Sequence, residues 1–266
     1  MNARALVLRA AGTNCDEETA HALTLAGARA ELLHVNRLVA EPQLLDRFQL
    51  LALPGGFTFG DDVASGAVLA HILEERLEEA IARFVERGRL VIGICNGFQI
   101  LVRIGILPGS RGRGALLKNL SARFEDRWVR LRAGPAPGPW LEPGREYHLP
   151  VAHAEGRFEW FPDEPGEALP EVQVALRYRA TGDGENATGA VPYPANPNGS
   201  HEDIAGITNP RGNVLGLMPH PERFLSPLHH PSWSRYRRPD GSAPRERDLP
   251  EPLGLDLLRR AVRSLD

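Results

Sequence analysis

The chain has 266 residues, a formal net charge of −3, 42% hydrophobic residues and two cysteines. That balance supplies a core for one large α/β domain and argues against general nucleic-acid binding and against a disulfide scaffold. No apolar stretch reaches the ~20 residues that span a bilayer, and Arg4, Arg9 and Asp16-Glu17-Glu18 interrupt any leader-like start, so a cytoplasmic protein without a membrane partner is expected.

Residues 3–9 read as a strand, followed by the loop Ala11-Gly12-Thr13-Asn14-Cys15-Asp16. A helix from 16 to 26 follows, capped by Asn14 or Asp16 and stopped by Gly27. Residues 29–35 form a second strand, 41–48 a short helix and 50–53 a third strand. The third strand ends in Pro54-Gly55-Gly56-Phe57-Thr58-Phe59-Gly60-Asp61-Asp62. A Gly-Gly loop at the end of a buried strand can turn backbone N–H groups toward a ligand, or can be an ordinary tight turn. A long helix is expected from 64 to 87, with Gly88 as its stop.

The most informative stretch comes next. Arg89 to Ile94 is a β-branched apolar run that reads as a buried strand, and from Asn96 the apolar residues fall at helical spacing. Cys95 therefore sits at a strand-to-helix turn with Gly93 and Gly97 two residues to either side, the G-x-S-x-G elbow with sulfur in place of oxygen. A helix N-terminus beside the sulfur favours thiolate, which matters because a free thiol of pKa ~8.5 is only a few per cent ionised at pH 7. The alternative is that Cys95 is a small buried hydrophobe. Cys15, also near a helix start, competes for the nucleophile role but lacks flanking glycines.

The first ~105 residues thus alternate strand and helix, the pattern of a parallel sheet with helices on both faces, in which ligands bind beyond the carboxyl ends of the strands. The Gly55-Gly56 loop and Cys95 both fall on that edge.

Beyond Gly105 the texture changes. Arg111-Gly112-Arg113-Gly114 is a basic glycine-rich loop and a weak anion-site candidate. Strands are expected over 121–133, 147–160 (around His153-Ala154-Glu155-Gly156-Arg157-Phe158) and 172–178, with loops over 134–139 and 181–200. Residues 204–207 and 213–218 read as a hairpin that delivers Met218-Pro219-His220-Pro221-Glu222-Arg223. Residues 225–266 form an Arg/Pro-rich extension ending in an amphipathic helix from 253, packed on the same domain as residues 1–224.

His220 and Glu222 are natural partners for Cys95. In extended chain a His-x-Glu pair projects to one side of the backbone, so the imidazole can face the sulfur while the carboxylate orients it. The plain alternative is that His220 only ends a strand. A zinc site from His220, His229 and His230 is disfavoured by irregular spacing among prolines, and no metal is expected.

The elbow Gly93-Ile94-Cys95-Asn96-Gly97-Phe98-Gln99-Ile100-Leu101, the Pro54-Gly55-Gly56-Phe57 loop and Met218-Pro219-His220-Pro221-Glu222-Arg223 together resemble a class I glutamine amidotransferase. Gly12-Thr13-Asn14-Cys15-Asp16, the 153–158 stretch and Asn196-Pro197-Asn198-Gly199-Ser200 resemble, more narrowly, the glutaminase subunits of phosphoribosylformylglycinamidine synthase. The resemblance implies a flavodoxin-like, mostly parallel α/β sheet with an antiparallel extension in the second half. It implies Cys95 as nucleophile, His220 as base and Glu222 as orienting carboxylate. It makes the backbone N–H groups of Gly56 and Asn96 the oxyanion hole, and places Gln99, Gly55, His153 and Glu155 at the glutamine pocket. Ala154 stands where the family usually has glycine.

The family's chemistry implies hydrolysis of L-glutamine, with ammonia passed to a large synthase subunit, and a small bridging subunit in the complex. ATP and Mg are expected on that synthase, since no G-x-x-x-x-G-K-[ST] loop occurs here and Lys118 is the single lysine. Other readings are a different class I amidotransferase, a cysteine peptidase or amidase of related fold, and a non-catalytic regulatory module.

Overall fold

A computed structural model describes residues 3–109, 112–180, 190–235, 249 and 251–265. Its centre is a nine-stranded sheet in the order β2-β1-β3-β4-β11-β10-β9-β6-β7. In chain order β1 is Arg4–Arg9, β2 Arg29–His34, β3 Leu50–Leu53, β4 Leu90–Ile94, β5 Arg113–Leu117 and β6 Glu125–Ala133. They are followed by β7 Glu146–His153, β8 Arg157–Phe161, β9 Val174–Arg179, β10 Ile204–Thr208 and β11 Val214–Leu217. The helices are α1 Asp16–Leu25, α2 Val35–Ala40, α3 Ala67–Glu86, α4 Asn96–Arg103 and α5 Leu253–Arg263.

The sequence pattern explains the layering. Strands β3, β4 and β11 read LLAL, LVIGI and VLGL, and every residue in them is buried, as strands covered on both faces require. The first four strands in spatial order and β11 pair in parallel, whereas β10, β9, β6 and β7 continue the sheet antiparallel. This is the mostly parallel sheet with an antiparallel extension that the sequence implies.

Strand β11 lies beside β4 although 120 residues of sequence separate Ile94 from Val214. Its register sets Leu217 opposite Ile94, and Cys95 N donates to Leu217 O at 2.8 Å. The residues following each strand therefore emerge side by side at the carboxyl edge of the sheet.

Several elements differ from the sequence reading. The helix expected over 41–48 is a 3-10 turn, Pro42–Arg47, and the sequence reading lacks the preceding α2, whose start is held by His34 Nδ1 accepting from Asn36 N. Pro42 removes the N–H that a continuing α-helix would use. Helix α3 begins at Ala67 rather than 64 because Gly66, at φ 72, closes an irregular loop. The cap of α1 is Cys15, with no side-chain hydrogen bond, rather than Asn14 or Asp16. The extended 147–160 stretch breaks into β7 and β8, which join different sheets. β8 pairs with β5, a strand in a segment read as loop. Of the basic loop, Arg111 lies outside the described residues and Gly112–Gly114 lead into β5. Helix α5 lies against the Pro221–Arg223 turn, α1 and β7.

Candidate active site

Cys95 ends β4 and precedes α4 with φ 50 and ψ −102, a left-handed φ that is uncommon for a residue with a side chain and is found where structure over-determines it. The flanking glycines supply that constraint. A Cβ on Gly97 would lie 1.9 Å from Leu53 O, and one on Gly93 would lie 2.6 Å from Gly97 O. Helix and strand pack too closely for any side chain at either place, and neither glycine is recorded with positive φ. The glycines of the elbow thus serve close approach rather than turn freedom. As the first residue of α4, Asn96 presents a backbone N–H with no partner inside the helix.

Three residues beyond β11, on its neighbouring track, stands His220. Its Nδ1 lies 2.6 Å from Glu222 Oε1, with both side chains buried. His220 N donates to Pro150 O at 2.8 Å, which ties the turn to β7. Burial alone would lower the imidazole pKa. The Glu222 carboxylate, aided by the sulfurs of Cys15 and Cys95, outweighs that and holds it well above the ordinary histidine value. His220 Nε2 and Glu222 Oε2 are buried without a well-formed hydrogen bond among the described residues. The Cys95 sulfur contacts Ala152 O at 3.6 Å.

These groups open onto a cavity of about 210 Å³ whose walls include Gly56, Cys95, Gln99, His153, Glu155 and His220. Six of the nine residues singled out in the sequence thus share one space. Asn96 and Glu222 stand just behind it: Glu222 on the far side of His220, and Asn96 with its side chain accepting from Thr58 Oγ1 at 2.7 Å and donating to Gln99 Oε1 at 3.1 Å. Gly55 has another use than lining the pocket. A Cβ there would lie 2.8 Å from His220 Cε1 and 3.3 Å from Cys15 Sγ, so glycine lets the imidazole approach the loop.

Gln99 Nε2 donates to Glu155 O at 2.5 Å, joining the elbow helix to the loop between β7 and β8. His153 Nδ1 is 3.2 Å from Asn119 Oδ1, and burial, with the charge of His220 second, lowers its pKa to about 3. It is a neutral wall of the cavity. Asn198 donates to Gly156 O at 2.8 Å, and Ser200 Oγ accepts from Phe158 N at 3.0 Å. The Asn-Pro-Asn-Gly-Ser motif therefore braces the 153–158 loop from behind.

Sequence reasoning missed two neighbours, Asp61 and Ser65, and did not place a third, Cys15, beside His220. Cys15 shares the cavity, and its sulfur accepts from Arg223 Nη2 at 3.1 Å; its thiol pKa is raised, mainly by burial. The sequence marks Cys15 as a rival nucleophile near a helix start but does not show its closeness to His220, which comes from α1 packing on the Pro221–Arg223 turn. Asp61 and Ser65 also line the cavity. The signal for them was the polar Gly60-Asp61-Asp62 run after the Gly-Gly loop. The histidine trio does not assemble. His229 Nδ1 accepts from Leu225 N at 3.3 Å, and His230 Nε2 pairs with His148 Nδ1 at 2.9 Å. Among the described residues, the metal-capable group that contains His220 is instead Cys15, His220 and Glu222, with ligand atoms within 4.8 Å of one another.

Comparison with known proteins agrees with this geometry. Residues 2–247 match a CobB/CobQ-like glutamine amidotransferase domain. A protein of Dehalococcoides mccartyi named phosphoribosylformylglycinamidine synthase subunit PurQ is 45% identical over 234 residues, covering 86% of this chain and 89% of the relative. The chain belongs to this PurQ family of glutamine amidotransferases. A Thermus thermophilus member of the same name is 42% identical over 223 residues, covering 82% of this chain and 88% of its own. A chain of the solved structure of PurLQS from Thermotoga maritima superposes with a TM-score of 0.72 at 33% identity over the whole of both chains. The family's fold is therefore this chain's fold. Among the described residues no helix is long and apolar enough to cross a membrane.

Proposed function

We propose that the chain is the glutaminase of a phosphoribosylformylglycinamidine synthase, hydrolysing L-glutamine at Cys95 and passing ammonia to a synthase partner. The observation that carries the reading is the meeting of two strand ends: β4 delivers Cys95 at a helix N-terminus, and β11 delivers His220, backed by buried Glu222, to the same cavity.

The chemistry follows from the positions. The Cys95 thiolate attacks the side-chain amide carbon of glutamine, forming a C–S bond while the carbonyl oxygen takes the negative charge. The N–H groups of Gly56 and Asn96 receive that oxyanion. Protonated His220, held charged by Glu222, gives its proton to the nitrogen, and the C–N bond breaks to release ammonia. Neutral His220 then takes a proton from water, whose oxygen attacks the thioester. Glutamate leaves and the thiolate is restored. Gln99 and Glu155 line the space where the amino-acid part of the substrate lies.

The synthase partner is assigned as a large subunit with a small bridging one, in line with similarity to a PurLQS chain. ATP and Mg are assigned to that large subunit. The test is Cys95→Ala in the assembled complex. Synthesis driven by glutamine should vanish, and synthesis driven by added ammonia should persist. Loss of both with the complex intact would contradict the reading.

A further inference from the structure

Strands β6 and β9 set four arginines on one outward face of the antiparallel half-sheet. Their register puts Arg130 directly opposite Arg179 and Arg132 directly opposite Arg177. Residues opposite one another in such a pair share a face, with Cβ atoms about 4.5–5.5 Å apart, and like charges so placed are destabilising. Arg177 is offset by Glu171 Oε2 at 2.5 Å and Glu202 Oε2 at 3.4 Å. Arg130, Arg132 and Arg179 have no side-chain hydrogen bond or ion pair among the described residues, and Glu146, in register with Arg132 on β7, makes none with it. Arg130 and Arg132 are exposed, and Arg179 is half-buried. Beside them opens a cavity of about 360 Å³ whose walls include Arg132, Arg177, Arg179, Glu171 and Asp203.

The stability of the free chain, whose net charge is −3, gives no reason for this grid. An anionic surface laid over it supplies the missing charges, since each guanidinium presents a planar fork that fits a carboxylate. Spacing favours a helix as the bearer. Positions i and i+2 of a strand are roughly 6.5–7 Å apart, and carboxylates four residues apart on a helix about 6 Å, so one acidic helix along β6 can meet Arg130 and Arg132 in turn. Glu171, Glu202 and Asp203 border the grid and would repel the unbroken charge of a nucleic-acid backbone. A protein can set neutral or basic residues against them.

The same face leads to the active site. Asp126, Trp128, Arg130 and Arg132 alternate along one side of β6, and Asp126 lines the cavity that holds Cys95. From Asp126 to Arg132 the strand runs about 20 Å, so a single protein can cover both.

We infer that the arginine face of β6 and β9 is the docking surface for an acidic helix of the synthase that receives the ammonia. This rests on the glutaminase reading above and adds where the partner sits and which charges hold it. The opposed arginines weaken the free chain slightly and are neutralised in the complex.

The test measures binding of the purified chain to the purified synthase, with the bridging subunit present, by biolayer interferometry at low and high salt. Two double variants are compared with the unaltered chain: Arg130→Gln with Arg132→Gln, and Arg130→Glu with Arg132→Glu. Charge reversal should weaken binding roughly 10–100-fold, mostly through slower association, and neutralisation should weaken it less. Affinity should fall with salt most steeply for the unaltered chain. The free glutamine variant should melt no lower than the unaltered chain, because the opposed charges are gone, whereas a structural role for these arginines would lower its melting temperature. With synthase in excess, glutamine-driven synthesis by both variants should return to the unaltered rate, since Cys95 is untouched. Partner affinity indifferent to both variants would overturn the inference and leave the glutaminase reading standing. So would a single-stranded oligonucleotide that binds the unaltered chain and not the reversed one while partner affinity holds, which would give the face to nucleic acid. If the unaltered chain binds no synthase, both readings fall together.

Discussion

His220 Nδ1 and Glu222 Oε1 lie 2.6 Å apart in a buried pair at the end of β11. Burial pushes the imidazole toward neutrality, and the carboxylate reverses that push. Glu222→Gln removes the charge and keeps the shape, so the His220 pKa should fall. The protonated imidazole donates to the leaving nitrogen, so the alkaline limb of the kcat/KM profile should move to lower pH. Glutamine turnover should drop less than in His220→Ala, which deletes the proton carrier. An unmoved alkaline limb in the glutamine variant would separate Glu222 from the protonation of His220.

Gly97 is fixed by contact. Its missing Cβ would stand 1.9 Å from Leu53 O. Gly97→Ala should destabilise the chain by about 1–3 kcal/mol or more, read from denaturant midpoints, and should misplace Cys95. Gly60→Ala is the comparison. There φ is 73 and no atom lies within 4 Å of the added carbon, so only the cost of the left-handed backbone remains, about 1–2 kcal/mol.

The C-terminal helix touches the catalytic turn. A Cβ on Gly254 would lie 2.0 Å from Pro221 O, and Leu255 N donates to Phe224 O at 3.1 Å. Gly254→Ala should therefore push the turn that follows His220 and lower kcat, with far-UV circular dichroism nearly unchanged. Full activity would show that the turn holds His220 without α5.

Acid should loosen the antiparallel half of the sheet. His148, on β7, has its pKa lowered to about 4 by burial first and by His230 second. Neutral in the fold, it binds a proton in the unfolded chain below the ordinary value of 6.5, so stability is lost as pH falls from there toward 4. Replacing His148 with glutamine should make the fall of melting temperature over that window shallower.

How much was legible beforehand differs by element. The elbow could be read because β-branched strand, helical spacing and paired glycines all lie within thirteen consecutive residues. The parallel half of the sheet was equally local, as its strands alternate with helices. The antiparallel half was blurred. Only pairing partners decide that residues 113–117 form a strand with 157–161 and that 147–160 splits in two. Within the candidate site, Cys95, His220 and Glu222 carried motif signals. Asp61 did not, since its place depends on a left-handed loop, and the Cys15 motif did not tell that its sulfur lies beside His220 and Arg223. Gly55 was read as a pocket residue, whereas its hydrogen-only side chain makes room for His220.

The presence of two cysteines in one cavity makes the identity of the nucleophile the central question, and covalent capture answers it. The full chain in its complex is treated with the chloroketone analogue of glutamine, and the modified peptide is mapped by mass spectrometry. The strand-to-helix geometry and the oxyanion donors proposed beside Cys95 predict a single adduct on Cys95, with Cys15 unmodified. An adduct on Cys15 would contradict the assignment of the nucleophile, and with it the mechanism built on the elbow.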